Sequence, residues 1–148
     1  MTKIFLIDVN ANDLYTLEAK LNLILDKKEN QVIAKLIKND TFTNLNLENQ
    51  IRKDSPEIII VNNELISISS LDLINKIKNY SYTQMDERDR KKVFLDPEYN
   101  PIIIVLADYK KEENEKDKFL LGGANFFFYK DEINFSDFCI KIKKLLSK

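Results

Sequence analysis

Apolar runs alternate with amphipathic stretches along the whole chain, the pattern of a parallel sheet wrapped by helices. Residues 3–9 (KIFLIDV) are apolar on both faces, as a central parallel strand requires. Residues 12–28 then carry Leu14, Leu17, Leu21, Ile24 and Leu25 on one stripe, which predicts a helix capped by Asn12. Residues 31–37 (QVIAKLI) read as a second strand, and Lys35 inside it marks a sheet edge. A short helix is expected within 41–54, resting on Leu45, Leu47 and Ile51. Pro56 introduces a third strand, Ile58 to Asn62, followed by a helix over 69–80 that buries Leu71, Leu73, Ile74 and Ile77. Ser69 and Asp72 are spaced like a capping box at its start.

Residues 81–100 break the rhythm with a charged run (MDERDRKK) and no sustained period. Loops of that length are uncommon in compact domains and are often functional. The segment joins the third helix to the fourth strand, at the end of the sheet opposite the strands' carboxyl ends. It is therefore a candidate partner surface, although a charge run is usually only a solvated loop. Residues 101–107 (PIIIVLA) are the fourth strand. A helix over 110–121 has only Tyr109, Phe119, Leu120 and Leu121 to anchor it, which predicts a loosely held element. Residues 125–129 (NFFFY) form the fifth strand, and a last helix from Asn134 buries Phe135, Phe138, Ile142 and Leu145. Five strands and five helices in strict alternation predict a single α/β domain over 1–148, a flavodoxin-like (βα)5 sandwich. The right-handed crossover rule leaves the doubly wound order 2-1-3-4-5 for its sheet.

Composition narrows the chemistry. The net charge of −1 gives no reason to expect nucleic acid or an anionic membrane as partner. No histidine is present, so the usual general base and the commonest transition-metal ligand are missing. Cys139 is the only cysteine, which excludes an internal disulfide and a thiolate metal cluster; on the last helix it reads as a small apolar filler. Gly122 and Gly123 are the only glycines, too few and wrongly placed for a dinucleotide fingerprint or a phosphate-cradling loop. The first apolar stretch is too short for a signal peptide and no run approaches a membrane span, so a cytoplasmic protein is expected.

In a doubly wound sheet the site lies beyond the strands' carboxyl ends. That directs attention to Asp8, Val9 and Asn10, to Asn62, to Leu106, Ala107 and Asp108, and to Lys130. Here the chain resembles the receiver domain of bacterial response regulators, over nearly its whole length. PEIIIVNNELISISSLDLINKIK is similar to that family's third strand, active-site loop and third helix. GANFFFYKD is similar to its Gly-Ala…Lys-Pro signature, and KIFLIDVN to its first strand and acidic pair. The resemblance implies a pocket that holds magnesium on two carboxylates after the first strand and on a phosphorylated aspartate after the third.

Against that expectation the chain departs at several positions. The acidic pair reads Asp8-Val9, and the phosphoacceptor position matches Asn62, whose neutral amide is neither a nucleophile toward phosphorus nor a strong ligand for a hard cation. The hydroxyl position after the fourth strand matches Leu106; a one-residue shift would place Ala107 there, and neither carries a hydroxyl. The lysine matches Lys130, followed by Asp131 where the family has proline, and the aromatic switch position matches Phe127. With Asp8 as the one remaining pocket carboxylate, no magnesium site, no cofactor and no aspartyl phosphate are expected, and Val9 and Leu106 should leave the pocket apolar and filled. Lys130 is expected to pair with Asp8 or with the Asn62 amide, as an inherited structural ion pair.

The expected function is that of a degenerate pseudo-receiver, not an enzyme, which docks onto another signalling protein. Phe127, Lys130 and Asp131 are its candidate contacts, with the fourth and last helices beside them. Alternation along FFF sends the other two phenylalanines to the core. Receivers often dimerise through this face, so a homodimer is also allowed. A small enzyme or ligand-binding protein built on Asp8, Glu64, Asp108 and Lys130 is the competing class. Residual phosphoryl relay through Glu64 or Asp108 is a third.

Overall fold

The computed structural model describes residues 1–38, 46–66, 68–78, 99–109 and 112–147. In chain order these form β1 (Thr2–Asp8), α1 (Ala11–Ile24), β2 (Asn30–Leu36), α2 (Leu47–Asp54), β3 (Ile58–Asn62), α3 (Ser70–Lys78), β4 (Ile102–Ala107), α4 (Glu115–Leu121), β5 (Phe126–Tyr129) and α5 (Phe135–Leu146). A short 3-10 turn, Lys130–Glu132, follows β5. The five strands are all parallel and lie in the order β2-β1-β3-β4-β5, the predicted doubly wound sheet.

Side chains alternate between the two faces of the sheet, and both faces are covered. Phe5, Ile7, Ile59, Val61, Ile103, Val105 and Phe127 face Ile51 of α2, Leu73, Ile74 and Ile77 of α3, and Phe119 of α4. Ile4, Leu6, Ile58, Ile60, Ile104 and Leu106 face Leu14, Leu17 and Leu21 of α1, and Phe138, Cys139 and Ile142 of α5. Lys35 marks the edge as expected: among the described residues β2 pairs only with β1, and the lysine ammonium lies over the Phe5 ring at 5.6 Å.

Two helix starts differ from the sequence expectation, and one of them matters for the site. The cap of α1 is Asn10, not Asn12: its backbone is extended (φ −97°, ψ 109°) and its side chain accepts the Asp13 N–H. The cap therefore stands two residues earlier, which makes Asp13 the third residue of the helix rather than the first. The predicted helix over 110–121 is described only as Glu115–Leu121, with Phe119 its single fully buried residue and Leu121 87% exposed. Gly123 closes that helix at φ +124°, where an added Cβ would also lie 2.9 Å from Lys78, so only glycine is accommodated. The expected Ser69 cap is present, with its Oγ accepting the Asp72 N–H at 3.1 Å. Most of the charged segment over 81–100 lies outside the described residues, as does Leu45. At its far end Tyr99 donates to the Pro56 carbonyl and Asn100 accepts from Lys78.

Candidate functional site

Every strand bearing a candidate residue ends on the same side of the sheet. Asp8 closes β1, Asn62 closes β3, Asp108 follows β4 and Lys130 follows β5. The Lys130 ammonium stands where they meet: it donates to Asp8 Oδ2 at 2.7 Å, to Asp108 Oδ1 at 2.7 Å and to Asp13 Oδ2 at 2.9 Å. An ammonium has three protons, so all three are committed.

The expected pair of Lys130 with Asp8 is present, and two other expectations are corrected. Asp8 is not the only carboxylate at the pocket, since Asp13 and Asp108 join it. Lys130 does not pair with the Asn62 amide, and with three acceptors and a side chain 10% exposed it is not available to a partner protein. Asp13 escaped sequence reasoning because its position depends on where α1 starts. The spacing Asn10-x-x-Asp13 was the available signal, since a cap at Asn10 places residue 13 on the turn facing the strand ends.

Asp8 is nearly fully buried. Its Oδ1 accepts the N–H groups of Val9 at 2.7 Å and Asn10 at 3.0 Å, so the carboxylate is fully engaged. Burial pushes its pKa up, and the Lys130 bond and the two backbone donors oppose that shift. Burial pulls the lysine the other way, but its bonds to Asp108, Asp8 and Asp13 outweigh it and hold the ammonium well above its ordinary range.

The Asn62 side chain is equally committed. Its Nδ2 donates to the Leu106 carbonyl and to Asp108 Oδ1, each at 3.1 Å, and its Oδ1 accepts the Glu64 N–H at 2.9 Å. Beneath Asp8, Asn62 and Lys130 the remaining cavity is only about 10 Å³, lined mainly by Leu6, Leu14, Leu17, Ile60, Leu106 and Phe135. That is room for about one water. Leu106 is buried against the α1 and α5 side and Ala107 against the other, so neither register brings a hydroxyl to the site.

The magnesium implied by the resemblance does not fit this arrangement. Magnesium needs oxygen ligands at about 2.0–2.1 Å in octahedral array. Here the carboxylates converge on an ammonium, and the amide oxygen at position 62 is turned to a backbone N–H. Among the described residues no group of three His, Cys, Asp or Glu side chains is placed to hold a metal ion. Of the four residues weighed for a polar enzyme site, Asp8, Asp108 and Lys130 come together. Glu64 lines a different groove, with Asn63, Ser69, Glu112 and Glu115.

Phe127 is not a surface contact. It is 4% exposed and packs between Phe119, at 5.6 Å, and Tyr129, at 5.0 Å. The register Val105↔Phe127 puts it on the α3–α4 side, while Phe126 and Phe128 share the other side and stack at 6.4 Å. Phe126, 40% exposed, is the aromatic that β5 presents to solvent. Asp131 is exposed in the turn after β5. No helix among the described residues is long and apolar enough to cross a membrane.

No protein-family model matches the sequence, and no curated protein is similar to it at the level of sequence. Solved structures are similar at the level of fold. The signal receiver domain of a response regulator from Bermanella marisrubri superposes with a TM-score of 0.68 at 13% identity, covering 99% of each chain. The BeF3-activated N-terminal receiver domain of Klebsiella pneumoniae RstA gives 0.65 at 14% identity, over 99% of this chain and 100% of the other. A chain from the complex of the Saccharomyces cerevisiae histidine phosphotransfer protein Ypd1 with the receiver domain of its downstream response regulator Ssk1 gives 0.63 at 19% identity, over 96% and 86%. The chain therefore has the receiver fold of two-component response regulators, with a lysine ammonium and three aspartates gathered at the carboxyl ends of its strands.

Proposed function

We propose that this chain is a cytoplasmic pseudo-receiver that signals by docking onto another protein, independently of phosphorylation and without catalysis of its own. The observation that carries this reading is the saturation of the pocket. Lys130 is held by three carboxylates, and the residue at the phosphoacceptor position is a neutral amide whose hydrogen bonds are all made inside the protein. Such a pocket has one stable arrangement, so information passes through the surface by differential binding. Among the solved receivers of this fold, Ssk1 is recorded in complex with Ypd1, which supports a protein as the partner class.

The docking face in this reading is formed by α4, β5 and α5. It presents Leu121, Phe126 and Ile140, at 87%, 40% and 48% exposure, with Asp131 beside them. Next to Phe126 and Phe128 lies a groove of about 300 Å³ floored by Phe138, Ile142 and Leu145 and rimmed by Lys141 and Lys144. That chemistry suits a segment with apolar anchors and acidic neighbours. A second copy of the chain could use the same exposed apolar side chains, giving a homodimer.

The test is capture of a partner by cross-linking in the producing cells, with variants that separate face from pocket. The protein recovered with the native chain should still be recovered with Asn62→Ala and lost with Phe126→Asp/Ile140→Asp. Recovery that follows Asn62, or that ignores the face variant, would contradict the reading. A chain that captures only itself, and becomes monomeric in Phe126→Asp/Ile140→Asp by light scattering, would select the homodimer.

A further inference from the structure

Asn63 stands beside the phosphoacceptor position and is 7% exposed, yet its side chain takes no part in the Lys130 cluster. It faces the other way and holds two elements at once. Its Oδ1 accepts the backbone N–H of Asp108 at 3.3 Å, on the loop after β4. Its Nδ2 lies 3.4 Å from both carboxylate oxygens of Glu115, the first residue of α4. A polar chain thus runs from the Lys130 cluster through Asp108 and Asn63 to Glu115, at the start of α4 on the proposed docking face.

The packing of α4 shows why this chain carries weight. The helix has seven residues and buries only Phe119 fully, against Phe127. Phe119, with Leu120 half-buried beside it, anchors the far half of the helix, while its first turn, Glu115 to Lys118, offers no apolar anchor. A second, polar attachment at the opposite end supplies the missing constraint. Asn63 itself is buried while Glu115 is half-buried, and a hydrogen bond to a carboxylate is stronger than one between neutral groups.

We propose that Asn63 is a positioning residue: its amide clips the loop after β4 to the first turn of α4, and so sets the pose of α4 on the docking face without any phosphoryl group. The functional consequence rests on the docking reading above, but the clip itself does not.

Exchange of donor and acceptor tests it, with amide hydrogen exchange on the full chain as the readout. Asn63→Asp keeps size and keeps an acceptor for the Asp108 N–H, but it sets one carboxylate against another. The α4 amides Lys118 to Leu121 should then exchange about tenfold faster, while those of β1 and β3 stay as in the native chain. Asn63→Asp/Glu115→Gln restores a donor facing an acceptor, now reversed, and should return α4 to the native rate. Glu115→Ala, at a helix end where the fold tolerates change, should loosen α4 as Asn63→Asp does and covers the case of a poorly folding Asn63 variant. Native exchange in both single variants, or failure of the swap to restore α4, would overturn the proposal. Faster α4 exchange with undiminished partner capture would leave the clip standing and remove α4 from the docking face.

Discussion

Lys130→Met should destabilise the folded chain by about 3 kcal/mol at neutral pH, the cost of leaving a buried carboxylate without its cation. For a chain of this size that is a fall in Tm of roughly 10 °C. The figure sits at the low end for a broken buried pair because Asp13 and Asp108 are each about a third exposed and can turn to water. Asp8, at 9%, cannot. The pH dependence has a definite sign. In the native chain the lysine pKa is raised on folding, so its contribution is fully present at neutral pH and is lost as pH rises beyond the ordinary lysine value of about 10.4. In the variant that contribution is absent. The Asp8 pKa, already raised by burial, loses the strongest influence holding it down and rises further. A carboxyl whose pKa is raised on folding favours the folded state as pH falls, so Lys130→Met should recover stability between pH 7 and about pH 4. Lys130→Met/Asp8→Asn should recover much of the loss at neutral pH, because neither charge is then left alone. Thermal or urea unfolding across pH reads all of this. A Lys130→Met variant as stable as the native chain at neutral pH would show that the ion cluster is not what ties these elements together.

Phe127→Ala should cost about 3–5 kcal/mol, the usual range for emptying a buried phenylalanine site, while Phe126→Ala should cost no more than about 1 kcal/mol. The contrast follows from burial at 4% against 40% and from the rings of Phe119 and Tyr129 that close on Phe127. Equal losses in urea unfolding, or a larger loss at Phe126, would mean that β5 pairs with β4 in the other parity.

Phe127 also shows where the sequence stops being informative. Three consecutive phenylalanines in a strand must alternate, but which one turns to the α3–α4 side depends on β5 pairing Val105 with Phe127. That register is a tertiary fact with no local signature. The strands themselves were legible for the opposite reason. Runs such as Ile58–Val61 and Ile102–Val105 are apolar on both faces, and only a doubly covered parallel sheet buries both. β3 starts and ends where its sequence predicts, and β1, β2, β4 and β5 lie within one residue of prediction. Helix starts were less legible, because Asn10 and Asn12 are equally good caps and only backbone geometry distinguishes them. Choosing the wrong asparagine hid Asp13 from the site. Asp8, Asn62 and Lys130 were found because strand ends in this topology converge. Asn63 carried no signal at all: nothing in a pair of asparagines says that one turns inward to the cluster and the other sideways to α4.

The account depends on a pocket that is already full of its own side chains. The most direct test is a titration of the native chain with magnesium and beryllofluoride, followed by amide chemical shifts, with Val9→Asp/Asn62→Asp as the comparison. The native spectrum should stay unchanged at Asp8, Asp13, Asn62, Asp108 and Lys130, whether or not the double variant responds. Saturable shifts at those residues in the native chain would contradict the account and return metal and phosphoryl chemistry to this site.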